Sequence, residues 1–347
     1  MAYVNIYDYR TPGIFFNLIL GGRGCGKTYG ALSGAYDEVG SRGKFILMRR
    51  TNEERELATM LNPYAQINAN RKLRVITDPI GKRITGFYEG EPDPEDPARL
   101  KPVGAPLGYL AALSTMGTTR GLGLNVDELD KIIYDEFIPE SHVRLLKNEG
   151  DAFFNAFETL NRNREMEGKA PLEVWLLANA NNINNPIFQS LGLISPAEKT
   201  LRRGQKDYYD FNRGLALHFV SDADFVRAKK KSALARLTEG SDFYDMAFNN
   251  NFAYNDFTGI KRLDAAGMTP SYAVGDAHLW QRKGQKEFYA SYRDGSFAYR
   301  YDPDNEADRI LGRSRHGMTF KNVYSQGRIT FESYELKALL LDFFNIK

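Results

Sequence analysis

Cysteine is almost missing from this chain. Among 347 residues there is one, Cys25, which excludes an intramolecular disulfide and a cysteine-only metal cage. This usage fits a reducing cytosol. Long apolar runs are missing as well. No stretch of about 18 apolar residues suggests a membrane span. The start of the sequence lacks a basic region followed by an apolar stretch, so no signal peptide is expected. An excess of one charge is also lacking. The formal net charge is +2, so any contact with nucleic acid has to come from local basic patches. Neither an internal repeat nor a long low-complexity tract is visible. What is present, 42% hydrophobic and 26% charged residues, describes a soluble globular chain with room for a large core and about two domains.

The strongest positive signal is Gly21-Gly22-Arg23-Gly24-Cys25-Gly26-Lys27-Thr28. It has the phosphate-loop pattern of two glycines followed by Lys-Thr. An apolar run over 14–20 precedes it as a buried-strand candidate, and helix-compatible residues over 27–39 follow. Glycines let backbone N–H groups curl around phosphate oxygens, and the helix N-terminus adds positive potential. In such a loop Lys27 reaches the terminal phosphates of ATP and Thr28 holds Mg2+. Cys25 reads as a small filler within the loop.

Alternating strands and helices continue downstream. Strands are expected over 45–48, 110–113, 131–136 and 173–179. Thr51 with Glu54 three residues later is a capping box that opens a helix. A hairpin is expected from 73–77 and 83–88 around Asp78-Pro79-Ile80-Gly81. The segment 91–106 carries five prolines and reads as a loop or insertion. A helix covers 152–164. The pattern argues for an α/β domain with a mostly parallel sheet. After about residue 205 the texture changes. A basic helical stretch covers 223–237, a hairpin is expected from 288–292 and 297–301, and a helix over 333–344 closes the chain.

Two acids end the strand Ile132-Ile133-Tyr134-Asp135. Asp135 can hold the metal with Thr28, and Glu136 can act as general base toward the attacking water. Asn179, at the end of its strand, can hydrogen-bond that water or the γ-phosphate; it can equally serve a turn. Arg162 and Arg164 end a helix, where the dipole favours cations in any case; the sharper reading is an arginine finger from a neighbouring subunit. Arg23 can reach the γ-phosphate in cis. Arg120 is a third cation on a glycine-flanked loop. Tyr7, Tyr9 and Arg10 are near the first strand in sequence, yet no pattern defines an adenine pocket.

The phosphate loop, Ile132-Ile133-Tyr134-Asp135-Glu136-Phe137, Asn161-Arg162-Asn163-Arg164-Glu165 and the Ala178–Pro186 run occur in one order. Together they make the chain resemble the DNA-packaging ATPases of small tailed phages of the phi29 type. The segment 235–243 looks like that family's linker. The resemblance implies an additional-strand, catalytic-glutamate ATPase domain (1–205), a helical linker domain (206–255) and a ribonuclease-H-like C-terminal domain without its acids (256–347). It implies a homopentameric ring in the host cytoplasm, transiently at the portal vertex of an empty capsid, that drives double-stranded DNA inward with ATP. A packaging RNA serves docking in some relatives. In this frame Glu136 matches the catalytic base, Arg162 the trans-acting finger and Asn179 the coupling position. Arg120 falls where the family places another trans-acting cation. One departure is Thr51-Asn52 in place of an expected lysine, with Arg50 or Arg55 as substitutes.

A nuclease needs clustered carboxylates for two metal ions. The strand candidate 288–292 offers none, which leaves Asp276, Asp302 and Asp304 to converge. Backbone-type DNA contacts fall to Arg71, Lys72, Arg74, Lys101, Lys229, Lys230 and Lys231. Other readings at this point are a helicase-like motor, a terminase with a live nuclease, and a nucleotide-dependent DNA-binding switch.

Overall fold

The computed structural model describes residues 3–346 apart from 117–124, 140–142, 144–145, 147, 180–181, 221–226, 228–229, 241–256 and 283. It divides into two compact units. One comprises Met1–Leu191 with Thr200–Tyr254, the other Gly192–Lys199 with Asn255–Lys347.

In the first unit, β1 (Phe16–Gly21) is buried along its whole length. Continuous burial is what a central parallel strand with both faces covered requires. The other interior strands β2 (Lys44–Arg49), β6 (Leu129–Asp135), β7 (Glu173–Asn179) and β9 (Leu215–Val220) are similarly apolar. With β3 (Val75–Pro79), β4 (Ile84–Pro92), β5 (Leu100–Ala112) and β8 (Asp207–Asp210) they form a nine-stranded sheet in the order β3-β4-β5-β2-β6-β7-β1-β9-β8. The run from β5 to β9 is parallel throughout. Antiparallel strands close both edges. Helix α1 (Lys27–Glu38) buries Ala31, Leu32 and Ala35 against this sheet. Helix α2 (Asn52–Leu61) opens with the expected capping box of Thr51 and Glu54, and is followed by α3 (Ala65–Arg71) and α4 (Leu113–Met116). Helix α5 (Glu149–Asn161) lies between β6 and β7 in sequence. The short helix α6 (Pro186–Ser190) follows, then α7 (Ile194–Arg202), most of which belongs to the second unit, and α8 (Ala233–Thr238), which belongs to the first. Of the basic stretch expected over 223–237, residues 223–226 and 228–229 lie outside the described set.

Two expectations for this unit change. The segment 91–106 is a loop only over 93–99: Glu89 to Pro92 pair antiparallel with Val103 to Leu100, so β4 and β5 extend as a ribbon on either side of it. Pairing of β5 with β2 begins only at Gly108. The stretch before it therefore has one open edge, the position where strands tolerate proline. The sheet also does not end near residue 205. β9 pairs with β1 from Phe16↔Leu215 to Gly21↔Val220, because Leu215–Val220 is an apolar run that only a sheet interior can cover.

The amino ends of the strands carry a buried ionic cluster. Arg10 donates to Glu173 at 2.6 and 2.7 Å and to Glu38 at 2.8 and 3.1 Å. Lys131, fully buried, pairs with Glu38 and with Asp130. Arg42 pairs with Asp130 at 3.2 Å. The acids Glu38, Asp130 and Glu173 converge, but three cations balance them. Arg10 is thus committed to this end of the sheet, and the Tyr7 hydroxyl donates to Ala31 O.

The second unit holds β10 (Met268–Val274), β11 (Ala277–Arg282), β12 (Phe288–Ser291), β13 (Arg300–Tyr301) and β14 (Ile329–Phe331) in the order β13-β10-β11-β12-β14. The helices α9 (Glu306–Ser325) and α10 (Tyr334–Phe343) pack Phe320, Val323, Leu336, Leu340 and Phe343 with Val274, Leu279 and Phe331. The hairpin expected from 288–292 and 297–301 is not formed. Both edges of β12 are taken by β11 and β14, so the second aromatic run crosses to pair with β10. The tight turn is instead Gly275-Asp276 between β10 and β11, with Gly275 at φ +49°.

Two stability predictions follow from the buried charges. Burial raises the Glu38 pKa, but hydrogen bonds from Arg10 and Lys131 outweigh this and bring it down to about 2. Its contribution is complete above about pH 4.5 and is lost as pH falls toward 2. Glu38→Gln is expected to flatten the denaturation midpoint over that window. Arg50 donates to Glu149 at 2.8 and 3.0 Å with both side chains essentially inaccessible. Arg50→Met is expected to cost about 3–5 kcal/mol by stranding the carboxylate. Arg50→Met with Glu149→Gln is expected to recover most of that in urea titrations.

Candidate active site

All six parallel strands end on one edge of the first sheet, where open α/β sheets place their ligands. Four chain ends meet there: Arg49 from β2, Asp135 from β6, Asn179 from β7 and Gly21 from β1. Gly21 and Asn179 are direct register partners.

The loop from Gly21 to Gly26 joins β1 to α1. Gly26, the residue before the helix, has φ +92°, and a Cβ there would meet the Tyr3 ring at 2.4 Å. A Cβ on Gly21 would lie 2.6 Å from Val220 Cγ2. Both positions therefore require glycine. Gly24 also has positive φ. Gly22 and Arg23 lie between them, with Arg23 exposed. Cys25 is buried, its Sγ 3.7 Å from Lys27 Nζ, in keeping with a filler role. Lys27 Nζ donates to Gly21 O and Gly22 O, both at 3.0 Å, and to Asn179 Oδ1 at 3.3 Å. The ammonium is thereby held inside the concave side of the loop, with Asn179 as its side-chain acceptor.

Thr28 Oγ1 donates to Asp135 Oδ2 at 2.9 Å. A hydroxyl beside a buried carboxylate is a hard-oxygen donor pair of the kind that suits Mg2+. Arg49 faces the same acids, with Nη2 at 3.2 Å from Asp135 Oδ2 and Nη1 at 2.9 Å from Glu136 Oε2. Glu136 has φ +58°, a left-handed turn uncommon for a residue with a side chain. The bond from Phe137 N to Leu177 O follows this turn. Desolvation raises the Glu136 pKa most; Arg49 lowers it, and Asp135 and Glu54 raise it further. With 61% of the side chain open to solvent, screening keeps the net rise modest.

The other expected cations divide clearly. Arg49 was not singled out in the sequence. Its signal was its place as the last residue of a strand that ends on the ligand edge. The proposed substitutes Arg50 and Arg55 are not available. Arg50 is buried against Glu149, and Arg55 is buried against Asn52 and Thr85. Arg164 is fastened by its guanidinium to Ala170 O and Leu129 O, a structural task. Arg162 is exposed at the C-cap of α5, with φ +44°. Leu129 begins β6, and Asp135 ends it. The Arg162 turn therefore lies at the amino edge of the sheet, about 20 Å from the Asp135 end at about 3.3 Å per residue. Arg162 does not serve the site of its own chain. Arg120 and Lys229 lie outside the described residues. Arg71 is committed to Asp37 at 2.6 and 3.2 Å, whereas Lys72, Arg74, Lys101, Lys230 and Lys231 are exposed.

In the second unit Asp276, Asp302 and Asp304 are exposed. Asp302 Oδ1 accepts from Asp304 N within its own turn. Among the described residues, no trio of carboxylates in this unit comes close enough to share an ion.

The podovirus DNA encapsidation protein (Gp16) family matches residues 108–337, well over half of the chain. The DNA packaging protein of Bacillus phage PZA is 24% identical over 314 residues, covering 89% of this chain and 78% of that protein. The DNA packaging protein of Bacillus phage B103 is 25% identical over 251 residues, covering 71% and 67%. Among solved structures, the bacteriophage Phi-29 viral genome packaging motor assembly contains a chain of the same fold, with TM-score 0.67 and 18% identity over 99% of both chains. The site geometry and these matches agree, and the chain belongs to the podovirus DNA encapsidation protein (Gp16) family.

Proposed function

We propose that this protein is an ATP-driven motor that moves double-stranded viral DNA into a preformed capsid, working as a ring of identical subunits. The observation that carries the reading is the convergence of Lys27, Thr28, Asp135, Glu136 and Asn179 on the carboxyl edge of one parallel sheet. Family membership gives the direction of the work, DNA encapsidation.

The loop amides and Lys27 bind the phosphates of ATP. Thr28 and Asp135 would hold Mg2+, which supplies charge neutralisation on the transferring phosphoryl group when bound. Glu136 accepts the proton of the attacking water at its carboxylate. Arg49 donates to Glu136 Oε2 and fixes that carboxylate's direction, so it is a positioning residue. Asn179, which accepts from Lys27, is placed to register the loss of the γ-phosphate. Arg162 completes the site of the neighbouring subunit, since it is held at the opposite edge of its own sheet. Exposed Lys72, Arg74, Lys101, Lys230 and Lys231 are candidates for sequence-independent backbone contact. Portal, capsid and, in the pattern of some relatives, a packaging RNA are the expected docking partners.

Glu136→Gln is expected to lower ATP turnover about 10²–10⁴-fold while nucleotide binding persists, measured by phosphate release and fluorescent-nucleotide titration. Arg162→Ala alone is expected to be inactive, and mixing it with Glu136→Gln chains to restore part of the turnover. A mixture as inactive as its components removes the trans role. For Arg49→Ala, the loss of a cation that lowers the Glu136 pKa is expected to move the acid limb of the pH–rate profile upward.

A further inference from the structure

The amino edge of the first sheet contains a cavity of about 520 Å³. Its body is apolar, formed by Pro12, Ile14, Phe15 and Pro171, and its rim carries Arg10 and Arg42. The rim arginines are the outer members of their ion pairs. Their side chains are 30% and 39% exposed, against 8% for Glu173 and 16% for Asp130. Ala170 lines the same cavity, and its carbonyl accepts from Arg164 Nε at 3.0 Å. The cavity is therefore contiguous with the turn that presents Arg162.

A surface of matching character lies elsewhere on the same unit. Helix α2 begins just after Arg49, the residue that touches Asp135 and Glu136. Its inner residues Arg55 and Ala58 are buried. Its outer face carries exposed Glu53 and Glu56, followed by Leu57, Met60 and Leu61, of which Met60 is 83% exposed. A grouped apolar patch of this kind marks an interaction site more often than chance exposure. Acids beside large apolar side chains fit an apolar cavity rimmed by arginines. On one chain the two surfaces sit at different places, so mutual contact joins different copies head to tail. Such contacts build rings or open filaments rather than isologous pairs.

We infer that the outer face of α2 of one subunit docks into the Pro12–Phe15–Pro171 cavity of a second copy of this chain. Glu53 then meets Arg42 on the rim, and Met60 fills the apolar body. This deepens the trans reading of Arg162 and rests on it for the choice of partner: the docking brings the Arg162 turn of one copy toward the nucleotide edge of the next. α2 thus serves as the intersubunit anchor that sets the reach of the arginine.

Cysteine cross-linking tests this, because the native Cys25 is buried. Full-length Met60→Cys and Ala170→Cys chains are mixed with ATP and a slowly hydrolysed analogue, oxidised mildly and resolved on non-reducing gels. The expected result is a disulfide-linked heterodimer in the mixture, none with either variant alone, and a ladder of higher oligomers with the double variant. A homodimer from Met60→Cys alone overturns the proposal, since it places α2 against α2. A mixture that stays unlinked overturns it as well. Turnover in mixed Glu136→Gln and Arg162→Ala chains is measured in parallel. Rescue without cross-linking leaves the trans arginine standing and removes the docking; cross-linking without rescue does the reverse.

Discussion

The Asp135 carboxylate is the point on which the site depends. It is buried at the end of β6, accepts from the Thr28 hydroxyl and is paired with Arg49. A buried charge without partners is costly, and its surroundings are built to supply them. Through Asp135 the phosphate loop, carried by β1 and α1, is tied to β2 and β6. Glu136 extends from the same strand end in a left-handed turn and shares Arg49. The two acids Asp135 and Glu136 are thus positioned by one guanidinium.

The opposite edge of the sheet mirrors this arrangement with fixed ion pairs. Glu38 ends α1, the helix that begins with Lys27 and Thr28; Lys131 lies near the start of the strand that ends with Asp135, and Glu173 begins the one that ends with Asn179. Arg10 and Lys131 join these elements. Helix α1 and strands β6 and β7 are therefore fastened at their far ends, which limits their relative tilting. Pre-organisation of this kind is what charge stabilisation in phosphoryl transfer requires.

The same polarity gives the subunit two unlike ends. The carboxyl edge presents the phosphate loop and its acids, and the amino edge presents Arg162 beside an apolar cavity. In the proposed ring, copies with these different ends would meet head to tail, and a site shared between copies would follow from that asymmetry. The second unit, with its mixed five-stranded sheet and helices α9 and α10, carries Asp276, Asp302 and Asp304 exposed at its turns.

By itself the sequence determined what short-range chemistry enforces. The spacing of Gly21, Gly26, Lys27 and Thr28 specified the loop, since positive φ and close approach admit only glycine at Gly26 and Gly21. The apolar runs ending in Asp135 and Asn179 located both strands, and Thr51 with Glu54 fixed the start of α2. Tertiary structure decided everything that depends on which backbone edge was already occupied. β12 had no free edge, so the second aromatic run paired with β10; β1 had one, so β9 joined the first sheet beyond residue 205. It also separated four arginines that look alike in sequence. Arg49 reaches the acids, Arg50 is held by a buried carboxylate, Arg164 by two backbone carbonyls, and Arg162 remains exposed at the far edge. A guanidinium's task is set by the carboxylate or carbonyl it meets, and that meeting is a property of strand order rather than of local sequence.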